Sequence, residues 1–129
     1  MGDGWLPSAV TPEEIAEGVS QIKEWTGVFQ RQVPDDHYGV FLTCCIAGSR
    51  VYPLKMAGPH ILRRREDAPL QRYMALGPTD GIREMVREYL SAGATKFVLR
   101  PACPPEAFLE QCELLAREVI APLQTPFGD

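Results

Sequence analysis

The stretch "GPTDGIREMVREYLSAGATKFVLRPACPPEAFLEQCELLAREVIAPL", residues 77–123, limits the fold more than any other part of the chain. Ile82, Met85, Val86, Tyr89 and Leu90 recur at helical spacing, Thr79 or Asp80 stands where an N-cap belongs, and Gly93 marks the stop. "TKFVLRP" then reads as a short buried strand with Phe97, Val98 and Leu99 as its core. Proline near the first turn opens a second helix whose apolar stripe is Phe108, Leu109, Cys112, Leu115 and Val119. Pro122 and Pro126 close it. Helix, short joint, strand and helix in succession describe βα construction.

The same alternation is legible upstream. "GDGWLPS" is a short extended stretch, and "TPEE" opens a helix with Thr11 as cap, Pro12 at the first position and Glu14 completing a capping box. Ile15, Val19, Ile22 and Trp25 or Thr26 form its apolar stripe, and the helix ends between Gly27 and Gln32. After the turn cluster "VPDDHYG" comes "YGVFLTCCIAG", a near-continuous apolar run of strand length. Such a run predicts burial on both faces, as in a parallel sheet covered by helices. Residues 48–75 carry Pro53, Gly58-Pro59 and Pro69 and predict an irregular connection holding one or two short helices. Right-handed βα units build either a doubly wound sheet or a closed barrel. In both, chemistry sits at the carboxyl ends of the strands, here Pro7-Ser8, Ile46-Ala47-Gly48 and Arg100-Pro101.

Composition removes several function classes. A net charge of −4 and a pI near 5.2 supply no basic field for nucleic acid or an anionic membrane surface. The dense basic run Arg63-Arg64-Arg65 is followed at once by Glu66-Asp67 and reads as the exposed face of a short helix, with a phosphate grip as the alternative. No apolar stretch reaches the about eighteen residues a membrane span needs, and no secretory signal is visible, so the expected location is cytoplasmic. The cysteines at 44, 45, 103 and 112 lack metal-ligand spacing and read as buried reduced thiols, with no metal site.

Among single residues, Arg100 directly follows the apolar core of a strand, where a guanidinium binds a phosphate or carboxylate bidentately or else makes a surface salt bridge. Cys103 sits at a helix N-terminus, where the macrodipole lowers a thiol pKa; as a nucleophile it defines a small cofactor-independent enzyme, and otherwise it is a small residue at a cap. Trp5 either lines a pocket or packs in the core. Asp3 holds a turn or reaches a polar ligand. His37 and His60 have no second histidine at metal spacing and read as solvated loop residues.

"GDGWLPS", "TPEE", "LGPTDGIREMVREYLSAGATKFVLRP" and "CPPEAFLEQCELLAREVIAP", in that order, together resemble the carboxyl-terminal part of the luciferase-like monooxygenases, the superfamily of bacterial luciferase and the deazaflavin-dependent oxidoreductases. Leu76-Gly77-Pro78-Thr79 resembles a Gly-x-Pro-Glu that opens a late helix, with Thr79-Asp80 in place of the glutamate. Residues 48–75 fit poorly. The resemblance implies the α/β fold of a (β/α)8 TIM barrel, of which this chain holds the carboxyl-terminal part as one partial domain, 1–129. It implies a flavin- or deazaflavin-dependent oxidoreductase or monooxygenase using FMN or the deazaflavin coenzyme F-420. Trp5, Pro7, Ser8, Arg100 and Pro101 are then the cofactor- or substrate-binding residues, and no catalytic residue is assigned.

A closed barrel takes about 250 residues, against 129 here. The expectation is therefore a carboxyl-terminal fragment, with Met1 inside a longer frame, that lacks the cofactor-phosphate segment and is inactive until a missing amino-terminal half or self-association completes it. The alternatives are a stand-alone α/β ligand-binding domain and a partner-completed subunit without catalytic activity.

Overall fold

The computed structural model describes residues 4–30, 33, 37–47, 57–61 and 64–123. Asp3, Gly48, Pro53, Arg63 and Pro126 lie outside the described residues.

Helix α1 spans Pro12–Val28 and begins with the expected reciprocal cap. The Glu14 N–H donates to Thr11 Oγ1 at 3.2 Å, and the Thr11 N–H donates to Glu14 Oε1 at 2.9 Å. Ile15 and Val19 are buried, but Trp25 is 58% exposed and stacks on the equally exposed Phe29. The stripe thus leaves the core after Ile22.

Strand β1 (Gly39–Ile46) lies between β2 (Ala75–Gly77) and β3 (Lys96–Pro101) in a parallel sheet. The segment around Trp5–Ser8 runs parallel to the start of β1, with N–H groups of Gly39 and Phe41 donating to the Trp5 and Pro7 carbonyls at 2.7 and 2.9 Å. It occupies the edge of β1 opposite β3, which β2 continues further along. β2 is too short for its apolar pattern to show in the sequence. In the described part of the connection, Ala57 is helical and two single 3-10 turns follow, Gly58–His60 and Leu70–Arg72.

Helix α2 (Thr79–Ala92) buries Ile82, Met85, Val86 and Tyr89. Neither Thr79 nor Asp80 caps it: Pro78 is the N-cap, with no side-chain bond, and Asp80 instead pairs with Arg83. A proline at that position brings the extended backbone a cap requires, and its own N–H is absent. Gly93 ends the helix at φ +114°, a left-handed value that only glycine adopts without strain.

The last helix departs most from its predicted face. After a 3-10 turn at Pro105–Ala107, α3 (Phe108–Leu115) runs into a π-helical turn at Ala116–Ile120 and a final turn at Ala121–Leu123. Its buried positions are Gln111, Leu115 and Val119, while Phe108 and Leu109 are 47% and 80% exposed. The reason is a polar anchor, Gln111, whose partner lies far away in sequence.

The three long helical segments pack on one face of the sheet. Ile15 and Val19, the α2 residues, Leu115 and Val119 form one cluster with Val40, Leu42, Cys44 and Ile46. The other face carries Phe41, Thr43, Val98 and Arg100, and Val98 is 39% exposed. The buried core expected of Phe97-Val98-Leu99 is thus not met at Val98, while Phe97 and Leu99 pack against the main cluster. Among the described residues only the carboxyl end of β3 is covered on the Val98 face, by a small cluster of Cys45, Ala57 and Ala102 with Ile61 and Leu76. A parallel sheet whose long described helices all lie on one face is consistent with a segment of a βα barrel, whose other face turns inward.

Candidate functional site

The carboxyl ends of β1 and β3 and the turn after Trp5–Ser8 meet on the face away from the helices. Arg100 pairs in register with Thr43, so the two side chains project side by side. Arg100 Nη2 donates to the His60 carbonyl at 3.2 Å, while its Nη1 is buried and makes no hydrogen bond. With Ser8, Ala9, Phe41, Thr43, Tyr73 and Met74 it lines a cavity of about 110 Å³. No carboxylate is among these residues.

Of the sequence-predicted site residues, the fold brings Ser8 and Arg100 into this cavity. Trp5, Pro7 and Pro101 are placed elsewhere. The Trp5 ring lies against α1 over Gly18, where a Cβ on that glycine would come within 2.2 Å of it. The Pro7 carbonyl accepts the Phe41 N–H, and Pro101 pairs with Cys44 in the ladder.

Sequence reasoning missed Thr43, Tyr73 and Arg65. Thr43 had a signal, a lone hydroxyl within an apolar run. Tyr73 had none, and Arg65 showed only as part of a basic run, since Glu14 and Ala9, which it reaches, lie 51 and 56 residues away. The Arg65 N–H donates to Tyr73 Oη at 2.8 Å, and its guanidinium sits 5.7 Å over the Tyr73 ring. That same guanidinium donates to the Ala9 carbonyl at 3.1 Å and pairs with both Glu14 and Asp67. Ala9 has φ +54°, uncommon for a residue with a side chain, and Arg65 is its tether. Arg65 is therefore a clamp between the connection, α1 and the cavity rim, rather than the exposed helix face expected of the arginine run.

This clamp titrates. Arg65 holds the Glu14 carboxyl below its ordinary value of 4.5, and likewise draws Asp67 below 3.8. A depressed folded-state pKa contributes stability above the unfolded value and loses it as pH falls through the folded one. Between about pH 5 and pH 3 the wild-type melting temperature is therefore expected to fall more steeply than that of Glu14→Gln, which has no carboxylate to protonate. Parallel curves would remove the clamp as a source of acid sensitivity.

Burial disfavours the thiolate at Cys44, Cys45 and Cys103. Burial pushes Cys44 well above the ordinary range and Cys45 up to about 11. Burial likewise raises Cys103, foremost, with Cys112 adding to it. Desolvation thus overrides the lowering expected from a helix terminus, here a single 3-10 turn. The buried Cys103 lacks the thiolate population that a nucleophile at neutral pH requires.

A larger cavity, about 540 Å³, lies on the helix side along β3, lined by Val86, Leu90, Phe97, Leu99, Val119 and Leu123 among others. Its lining is mostly apolar, with Thr95 and Lys96 as its polar members. Among the described residues no group of three or more His, Cys, Asp or Glu is placed to hold a metal, and no helix is long and apolar enough to cross a membrane.

No family model and no curated protein sequence matches the chain. Among solved structures it is similar to an F420-dependent secondary alcohol dehydrogenase in complex with an F420-acetone adduct, with a TM-score of 0.64 at 12% identity. The likeness is one of fold. It covers 92% of this chain and 42% of the dehydrogenase, so the chain spans less than half the length of that structure.

Proposed function

We propose that this chain forms the carboxyl-terminal strands and helices of a deazaflavin-dependent oxidoreductase, with the Arg100 cavity on its substrate side. The fold likeness to the F420-dependent dehydrogenase over nearly the whole chain carries this reading. The position of the polar cavity supports it, since chemistry in βα barrels gathers where strands end.

The strand-end cavity does not enclose a coenzyme by itself. The strand-end cavity of about 110 Å³ is well below the roughly 300–1,000 Å³ of cofactor pockets. It suits part of a substrate, and the coenzyme needs walls from elsewhere. When bound, such a coenzyme supplies the hydride chemistry. This chain's part is to position substrate: Arg100 and Thr43 offer donors, and the Tyr73–Arg65 pair holds the rim.

The test is to translate, in phase, the DNA ahead of the Met1 codon. A frame continuing for about 150 residues with further βα units, whose product reduces the deazaflavin coenzyme with a secondary alcohol, is the expected result. A stop codon just ahead, together with no saturable coenzyme binding by the chain alone or co-expressed with its genomic neighbours, removes the reading. The stand-alone binding domain then takes its place.

A further inference from the structure

We propose that the Arg100 cavity is a binding site for a small oxyanion, a carboxylate or phosphate group carried by the substrate. The inference deepens the oxidoreductase reading by giving the substrate a charged end, and its measurement needs no coenzyme.

Of the seven described arginines, Arg65, Arg72, Arg83, Arg87 and Arg117 each have a carboxylate partner, and the exposed Arg64 instead donates to the Gly58 carbonyl. Arg100 has no carboxylate partner among the described residues, and its Nη1 is buried without a hydrogen bond. A guanidinium stays charged at any ordinary pH, and a buried charged donor left unmade is among the costliest arrangements in a fold. The bond from Nη2 to the His60 carbonyl anchors the guanidinium, so the open donor is fixed in place rather than free to swing toward solvent.

The surroundings select for negative charge. Ser8 and Thr43 bring hydroxyls that donate to an oxyanion, and no lining carboxylate competes for the arginine. A cation is repelled by the guanidinium. A neutral group satisfies an N–H but leaves the buried charge uncompensated. The volume of about 110 Å³ corresponds to about three to four waters, enough for a carboxylate or phosphate head with the rest of its molecule outside. Phe41 and Met74 form the apolar part of the wall, which keeps the local dielectric low and strengthens the contact.

Sodium acetate and sodium phosphate are titrated separately into the full 129-residue chain at ionic strength held constant with sodium chloride. The backbone amides of Ser8, Thr43 and Arg100 and the Arg100 Nε–H resonance are followed by NMR. The expected result is a saturable shift with a Kd of about 1–10 mM for at least one anion. The Kd rises at least about tenfold in Arg100→Gln and about threefold in Thr43→Val. A tighter Kd for acetate assigns the site to a carboxylate, and a tighter one for phosphate to a phosphoryl group. If Arg100→Gln does not fold, Thr43→Val and Ser8→Ala carry the comparison. No saturable response to either anion means that water alone fills the cavity, and the proposal falls. It falls equally if Arg100→Gln folds and binds as well as wild type. Failure to bind a deazaflavin leaves these titrations unchanged, so the two readings fail separately.

Discussion

Replacing Gln111 by leucine is expected to lower stability by about 2–4 kcal/mol. Gln111 is 4% exposed and bonds twice to one residue, accepting the Ile46 N–H through Oε1 and donating to the Ile46 carbonyl through Nε2, each at 2.9 Å. β3 has already turned away by this point. Its last link to β1 is the Ala102 N–H on the Cys44 carbonyl at 2.9 Å. The glutamine amide thus extends the ladder by one step, standing in for a strand that has left. Leucine fits the same space but leaves two buried backbone groups unpaired, at about 1–3 kcal/mol each before relaxation. A thermal melt reads this as a drop of roughly 10 °C. A Gln111→Leu variant melting within a degree or two of wild type would show that water reaches the end of β1.

Gly18→Ala is expected to be destabilising although it replaces glycine in a helix interior. By helix propensity alone alanine gains about 1 kcal/mol there. The new Cβ, however, meets Trp5 Cη2 at 2.2 Å and Cζ3 at 2.6 Å. These are ring carbons of a side chain packed on the main core, so they cannot yield as a flexible tip does. Overpacking of this kind costs about 1–3 kcal/mol and here exceeds the propensity gain. The diagnostic is a double-mutant cycle in chemical denaturation with Trp5→Leu, which clears the space. In that background the sign reverses and Gly18→Ala becomes stabilising. Stabilisation in the wild-type background would mean that the Trp5 ring does not rest on Gly18.

Both variants show where reading the chain residue by residue stops. The reason for a glycine at position 18 is not legible in the sequence, because Trp5 reaches it by packing across the fold rather than through helical spacing. Trp5 had two readings, pocket wall or core, and its ring packs with the core. The last helix was legible as a helix and not as a face. Phe108 and Leu109 fall on the apolar stripe by spacing, yet the polar Gln111 turns inward because the end of β1 presents an unpaired N–H and carbonyl. For the candidate site, the strand-end rule reached Ser8 and Arg100. Thr43, Tyr73 and Arg65 join them only through register and through the path of the connection.

The sequence by itself determined the local structure: a capping box opening α1, the glycine stop of α2, the apolar cores of β1 and β3, and hence βα construction. These depend on neighbours within a few residues, so periodicity and turn chemistry suffice to reveal them. Only the tertiary structure decided which sheet face the helices cover, where the connection pins the rim, and that Arg100 keeps a buried donor without a partner. Those outcomes depend on pairing between residues 40 to 65 positions apart. Pairing at that range is selected by the geometry of the whole sheet, which no local pattern encodes.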